Sequence, residues 1–76
     1  MQHIELLTSF ELDTPRLVKC MEDNAPHLLE REIFIRRFSD LPKITEGSWV
    51  LIFEDDPLFE DIVAYIQNVK VRIAII

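Results

Sequence analysis

Cysteine and histidine are scarce in this chain of 76 residues, which limits the chemistry available to it. Cys20 is the single cysteine, so no intramolecular disulfide can form. With only His3 and His27 beside it, the chain has no spaced Cys/His set for a structural zinc ion. We therefore expect neither a metal nor a cofactor. A lone thiol also favours a reducing compartment, which predicts a cytoplasmic location.

Basic residues are few as well, with eight Lys and Arg against 14 Asp and Glu and a net charge of -6. Such a field repels nucleic acid and attracts basic partners. Long apolar runs are missing too. No apolar run is longer than that of residues 49–53, far short of the roughly 18 residues of a membrane-spanning helix, so we expect no membrane insertion.

Apolar residues are nevertheless abundant, at 49% of the chain with a mean hydropathy of +0.12. We expect a single domain over residues 1–76, because a second core could not be built from so short a chain. A domain of this size buries only about 60% of the surface that its unfolded chain exposes. The sequence therefore predicts leftover apolar surface that contacts a partner or a second copy.

The first strand is predicted over residues 3–10, where the side chains alternate between two faces. Ile4 and Leu6 lie on one face, while His3 and Glu5 lie on the other. This pattern is typical of a half-buried strand with one face toward solvent.

A helix and a second strand are predicted next. Thr14 can cap the helix, Pro15 fits its first position, and the helix should end near residue 24, before Pro26. Residues 28–38 are ambiguous between helix and strand. We interpret them as a strand because their centre is aromatic and β-branched.

The second half of the chain predicts a loop, a strand, a helix and a strand. The loop covers residues 39–48 and contains the single glycine, Gly47. Residues 49–53 are apolar throughout, which is typical of an interior strand covered on both faces. After the helix, residues 69–75 alternate between apolar and mainly charged side chains, and the charges suit an edge strand.

The resulting order is strand, helix, strand, strand, helix, strand. It predicts an α+β fold: a small ferredoxin-like (split βαβ) sandwich with the order βαββαβ. In that fold a four-stranded antiparallel sheet carries two helices on one face.

The stretch FEDDPLFEDIVAYI, residues 53–66, contains five carboxylates and no basic residue. One interpretation is structural: Asp56 caps the second helix, Pro57 takes its first position, and acidic residues in the first turn compensate the helix dipole. A second interpretation is a surface for docking a basic partner protein. We assign that surface to Glu54, Asp55, Glu60, Asp61 and Tyr65.

A third interpretation is a metal or catalytic site. The string VLIFEDDPLFEDIVAYI, residues 50–66, resembles the first strand, acidic pair and first helix of response-regulator receiver domains. The resemblance implies that Asp55 and Asp56 are magnesium ligands. It gives an alternative function, a magnesium-binding receiver-like or phosphoryl-transfer module that uses Glu54, Asp55 and Asp56.

The basic residues Arg31, Arg36, Arg37 and Lys43 form one cluster along the chain. They could belong to a solvated strand edge or bind a nucleic-acid backbone. The RNA-binding form of a ferredoxin-like sheet stacks bases on aromatic residues, but the RNP pattern is missing here. Nucleic-acid binding through these residues is therefore a further alternative, not the leading hypothesis.

The leading hypothesis is a small acidic protein-binding module, such as an inhibitor, an immunity-type protein or an assembly or adaptor protein. It docks on a macromolecular partner with a basic surface. No catalytic residue is assigned, because neither histidine has a Ser, Cys or carboxylate at a spacing that specifies a triad, and we expect no enzyme. The C-terminal strand could also pair with another copy to form a homo-oligomer.

Overall fold

The chain forms a four-stranded sheet with one helix packed on each face. The computed structural model describes residues 3–76, apart from the side chains at 28 and 29. The elements, in chain order, are β1 (Ile4–Thr8), α1 (Thr14–Asn24), β2 (Ile33–Arg37), β3 (Trp49–Ile52), α2 (Phe59–Ile66) and β4 (Arg72–Ile75), with short 3₁₀ helices at Pro26–Glu30 and Phe38–Asp40. The strand order across the sheet is β2-β1-β3-β4.

All three strand pairs are parallel, so the predicted antiparallel, ferredoxin-like sheet is wrong. The predicted order of strands and helices is confirmed. That order is compatible with an antiparallel ferredoxin-like sheet and with a parallel sheet. The connection from β2 to β3 distinguishes them. In the parallel sheet this connection must cross over β1, which lies between the two strands.

The two helices cover opposite faces of the sheet, which also corrects the prediction of both helices on one face. Successive residues of a strand point to opposite faces, so each central strand contributes to two cores. The first core combines α1 with one face: Ile4, Leu6, Leu17, Met21, Leu51 and Phe53. The second combines α2 and the crossover segment with the other: Leu7, Ile44, Val50, Ile52, Ile62 and Ile66.

The crossover from β2 to β3, residues 38–48, contains only a short 3₁₀ helix where such connections usually carry an α-helix. It is held to the sheet and to α2 by three contacts. Ile44 is buried in the second core, and the backbone N–H of Thr45 donates to the Glu5 carboxylate at 3.3 Å. The Tyr65 hydroxyl on α2 donates to the Pro42 carbonyl at 2.8 Å.

The helix starts differ from those predicted. The bounds predicted for α1 are confirmed, but its N-cap is Asp13, whose side chain accepts from the Arg16 N–H at 3.1 Å, and not Thr14. The start predicted for α2 is wrong: the helix begins at Phe59, after Leu58, which makes no side-chain capping bond. The carboxylate of Asp56 accepts from the N–H of Leu58, the residue before the helix, at 2.9 Å, and its other bonds go to the end of β1, as described below.

The remaining strands match their predictions more closely. The segment 28–38 divides into the end of a 3₁₀ helix and the shorter strand β2. β3 is buried, apart from its half-exposed first residue, as an interior strand should be. β4 is an edge strand, as its charged residues predict.

Gly47 adopts a left-handed backbone conformation, with φ of 82°, in the crossover segment. A Cβ atom added there would meet no atom within 4 Å, so substitution introduces backbone strain and no clash. We expect Gly47→Ala to lower the free energy of unfolding by about 1 kcal/mol. Urea unfolding would measure this, with the exposed neighbour Glu46→Ala as a control expected to change it by less than about 0.5 kcal/mol. Equal losses would show that the φ of Gly47 is not the cause.

Candidate functional site

The carboxyl ends of β1 and β3 lie side by side at the centre of the sheet. The chain leaves β1 through α1 on one face and leaves β3 through α2 on the other. This divergence marks the point where the strand order reverses, which we call the switch point. Open α/β sheets bind their ligands at such a position, so this edge of the sheet is the candidate functional site.

Asp56 lies at this switch point and joins the end of β3 to the end of β1. Its Oδ2 accepts from the Thr8 hydroxyl at 3.0 Å and from the Ser9 N–H at 2.9 Å. Its Oδ1 accepts from the Ser9 hydroxyl and from the Leu58 N–H, the latter at 2.9 Å. Asp56 is only 4% exposed, so its carboxylate is bound by donors of the protein and has little contact with solvent.

These hydrogen bonds set the charge state of Asp56. Burial alone raises the pKa of the carboxyl, but the bonds from Ser9, Leu58 and Thr8 outweigh burial and hold the pKa below its ordinary value. Asp56 is therefore ionised at neutral pH, and its charge binds the two central strands together.

The parallel topology gathers the acidic residues of three separate segments at one edge. We call this the acidic edge: residues 9–16, 37–40 and 53–61, which adjoin the carboxyl ends of β1, β2 and β3. It contains two basic residues, Arg16 and Arg37, and eight acidic ones: Glu11, Asp13, Asp40, Glu54, Asp55, Asp56, Glu60 and Asp61. Its formal charge of -6 equals that of the whole chain, since the remaining residues include six acidic and six basic ones.

Little of this charge is neutralised locally. All the acidic side chains of the edge except Asp56 are exposed. Within residues 3–76 the edge has one ion pair, Asp13 with Arg16, at 4.0 Å between two largely exposed side chains. The Arg37 guanidinium donates to the Phe10 carbonyl at 2.7 Å. The switch point is thus flanked by segments that carry exposed carboxylates.

Four of the five predicted partner-binding residues, Glu54, Asp55, Glu60 and Asp61, lie on the acidic edge. Tyr65 does not, because it lies further along α2. Its hydroxyl bonds the crossover segment, and its ring packs edge-on against Phe38 with the centroids 5.5 Å apart. Tyr65 therefore has a structural role in attaching the crossover to α2.

The predicted basic cluster is dispersed. Arg36 and Arg37 are neighbours on β2 and point to opposite faces. The Arg36 guanidinium pairs with Glu5 at 2.9 Å, while Arg37 binds the Phe10 carbonyl at the acidic edge. Lys43 lies in the crossover segment and Arg31 follows the first 3₁₀ helix.

Glu5, which the alternation of β1 places on an outer face, is completely buried. Its carboxylate pairs with Arg36 and accepts from the Thr45 N–H and, at 3.4 Å, from the Ser48 hydroxyl. Sequence reasoning missed Glu5, Thr8 and Ser9. Two adjacent hydroxyl residues at the end of a strand would indicate a bond to a carboxylate only if the neighbouring strand were already known.

The acidic residues do not assemble into a metal site in the described part of the chain, where no group of three or more His, Cys, Asp or Glu could hold an ion. Asp55 and Glu54 are exposed, and the oxygens of Asp56 are occupied by four hydrogen bonds. The ligand geometry that the receiver resemblance implies is therefore not formed among these residues.

No protein-family model, curated protein or solved structure matches the chain. Among residues 3–76, none of the helices has the length and apolar character required to cross a membrane. The function must therefore be argued from the geometry and charge of the acidic edge.

Proposed function

We propose that this protein is a small protein-binding module that docks a basic segment of a partner on its acidic edge. The observation that supports it is the location of the whole net charge in the acidic edge, beside the carboxyl ends of β1, β2 and β3. An inhibitor, an immunity-type protein or an adaptor would act in this way. The lone Cys20 supports a cytoplasmic location as part of the same proposal.

The charge distribution favours a Lys- or Arg-rich partner for a physical reason. Exposed carboxylates gathered at one end of the sheet create a negative potential there, which speeds the association of a cationic partner and makes the rate fall with salt. The same potential opposes phosphate groups, so the edge is unsuited to nucleic acid.

Exposed leucines at the edge can add apolar contacts to this attraction. Leu58 lies within the acidic edge and is 40% exposed, and Leu41, which directly follows residues 37–40, is 64% exposed. Leu41 also has a φ of 45°, an uncommon conformation for a non-glycine residue. A partner segment that combines basic and apolar side chains would use both features.

Magnesium binding through Glu54, Asp55 and Asp56 is a weaker candidate. It would require Asp56 to give up its bonds to Thr8 and Ser9, and no specific observation favours that exchange. A magnesium titration followed by Trp49 fluorescence separates the two functions. A saturable response that Asp56→Asn abolishes would support the metal site.

The docking proposal predicts that neutralising the edge weakens binding of a basic peptide. The variant combines Glu54→Gln, Asp55→Asn, Glu60→Gln and Asp61→Asn. The probe is an amphipathic Lys/Arg peptide of about 15 residues, followed by fluorescence anisotropy at two salt concentrations. We expect the affinity to fall by about tenfold or more and the salt dependence to decrease.

The matched control removes the same charge from the rest of the molecule, with Glu22→Gln, Asp23→Asn, Glu30→Gln and Glu46→Gln. All four residues are exposed and lie outside the acidic edge. We expect the control to bind nearly as well as wild type. If the two variants lose affinity equally, the peptide responds to net charge alone and the edge is not a docking site.

A further inference from the structure

Among residues 3–76, no strand pairs with the outer side of β4, which leaves an open edge with unpaired backbone groups. Its N–H and C=O groups toward β3 belong to the even-numbered residues: Arg72 donates to the Ser48 carbonyl at 3.0 Å and Ile76 to the Ile52 carbonyl at 2.9 Å. Alternate residues of a parallel strand bond the same neighbour. Ile73 and Ile75 therefore direct their N–H and C=O groups to the open edge.

The side chains of these two residues are also exposed, by 40% for Ile73 and 48% for Ile75. Their register opposite Val50 and Ile52 places them on the face that α2 covers. Proteins usually protect such an edge with charges, proline or a covering element. Here two isoleucines lie next to unpaired backbone groups, a combination typical of a strand that pairs with another strand.

We propose that β4 pairs antiparallel with β4 of a second copy, about a two-fold axis through Ala74. Ile73 of one copy then lies opposite Ile75 of the other, and each pair exchanges two N–H···O bonds because both residues present their groups outward. The four isoleucines form one patch on a single face. The two sheets become one sheet of eight strands, and neither β4 retains an open edge.

The charges favour a second copy in this orientation. Lys70 and Arg72 lie at the amino end of β4, whereas its carboxyl end adjoins Glu54, whose N–H donates to the Ile76 carbonyl at 2.9 Å, followed by Asp55. Antiparallel pairing brings the basic end of each copy beside the acidic end of the other. Parallel pairing would bring like charges together.

The other open edge, β2, is less suited to pairing. It carries two arginines in five residues, and both guanidinium groups bind within the same chain, to Glu5 and to the Phe10 carbonyl. Pairing through β4 places the second copy beside Glu54 and Asp55, at one end of the acidic edge, while the segments after β1 and β2 lie further across the sheet. The dimer does not rest on the docking proposal, since Ile75→Lys tests the dimer without changing the acidic edge, and either could fail without the other.

Cysteine cross-linking tests the register. In a Cys20→Ser background, Ala74→Cys places two thiols opposite each other at a position without mutual hydrogen bonds, where the Cβ atoms lie about 5 Å apart. We expect rapid disulfide dimerisation of this variant. Ile73→Cys and Ile75→Cys should each cross-link poorly alone and should form the heterodimer when mixed. Cross-linking of Ile73→Cys with itself at the rate of Ala74→Cys would overturn the register.

Sedimentation equilibrium tests the dimer without cross-linking. We expect the wild-type mass to rise from 9.0 kDa toward twice that value across the micromolar range. Ile75→Lys should weaken the dimer by about tenfold or more, whereas Leu41→Lys, a matched change at another exposed apolar side chain, should leave it unchanged. Circular dichroism verifies that both variants are folded. A wild-type monomer at high micromolar concentration would overturn the proposal.

Discussion

Replacing Asp56 with alanine is expected to lower the free energy of unfolding by about 3 kcal/mol, a large share of the stability of so small a domain. The loss of an N-cap alone would cost about 1 kcal/mol. The larger cost arises because the substitution leaves the buried Thr8 hydroxyl and the Ser9 N–H without their acceptor. Urea unfolding followed by Trp49 fluorescence measures the difference.

Asp55→Ala is the matched control, since Asp55 is the adjacent carboxylate and is exposed. It should change the free energy of unfolding by less than about 0.5 kcal/mol. If Asp55→Ala and Asp56→Ala lowered the free energy of unfolding equally, the bonds of Asp56 to the end of β1 would not be the cause.

The same network predicts a pH dependence of stability. The pKa of Asp56 is lower in the folded protein than its ordinary value, so ionisation stabilises the folded state. This contribution is fully present above the unfolded-state pKa of about 3.9 and is lost as the pH falls through the folded value. The free energy of unfolding should therefore decrease less in acid for Asp56→Asn than for wild type. Parallel curves would exclude a depressed pKa.

Replacing Glu5 with alanine is expected to cost about 2 to 3 kcal/mol. Glu5 is fully buried, and its removal leaves the Arg36 guanidinium and the Thr45 N–H without their acceptor. The cost stays below that of an entirely buried ion pair because the Arg36 side chain is 38% exposed and can be hydrated. Urea unfolding measures it, with the exposed Glu32→Ala as the control.

Hydrogen exchange tests whether Glu5 holds the crossover segment to the sheet or only adds to the overall stability of the protein. If Glu5 holds the crossover segment to the sheet, the Thr45 N–H should lose protection in Glu5→Ala more than the amides of β3 do. Glu5→Gln retains an acceptor and should preserve part of that protection. Uniform loss across all amides would mean that Glu5 contributes to global stability alone.

Local patterns determined the elements of this protein. The order of strands and helices, the bounds of α1, the burial of β3 and the edge position of β4 were all predicted, because each depends on residues adjacent in sequence. Asp56 was also identified as structurally important, but only for its bond at the start of the second helix and not for its bonds to the end of β1. Its hydroxyl partners Thr8 and Ser9 lie more than 40 positions away, and no local pattern joins them.

The direction of the strands was decided only by the tertiary structure. Residues 38–48 cross over β1 without an α-helix, so the sequence carries no sign of the crossover that makes the sheet parallel. That crossover also covers the second face of β1, which is why Glu5 is buried although its alternation predicts an outer face.

The sequence by itself determined the net charge of -6, and the tertiary structure decided where that charge lies. In an antiparallel sheet the acidic loops would have been divided between two edges. Because all four strands run in the same direction, the segments after β1, β2 and β3 meet at one edge. The acidic edge is therefore a consequence of the topology, since parallel strands must all end on the same side.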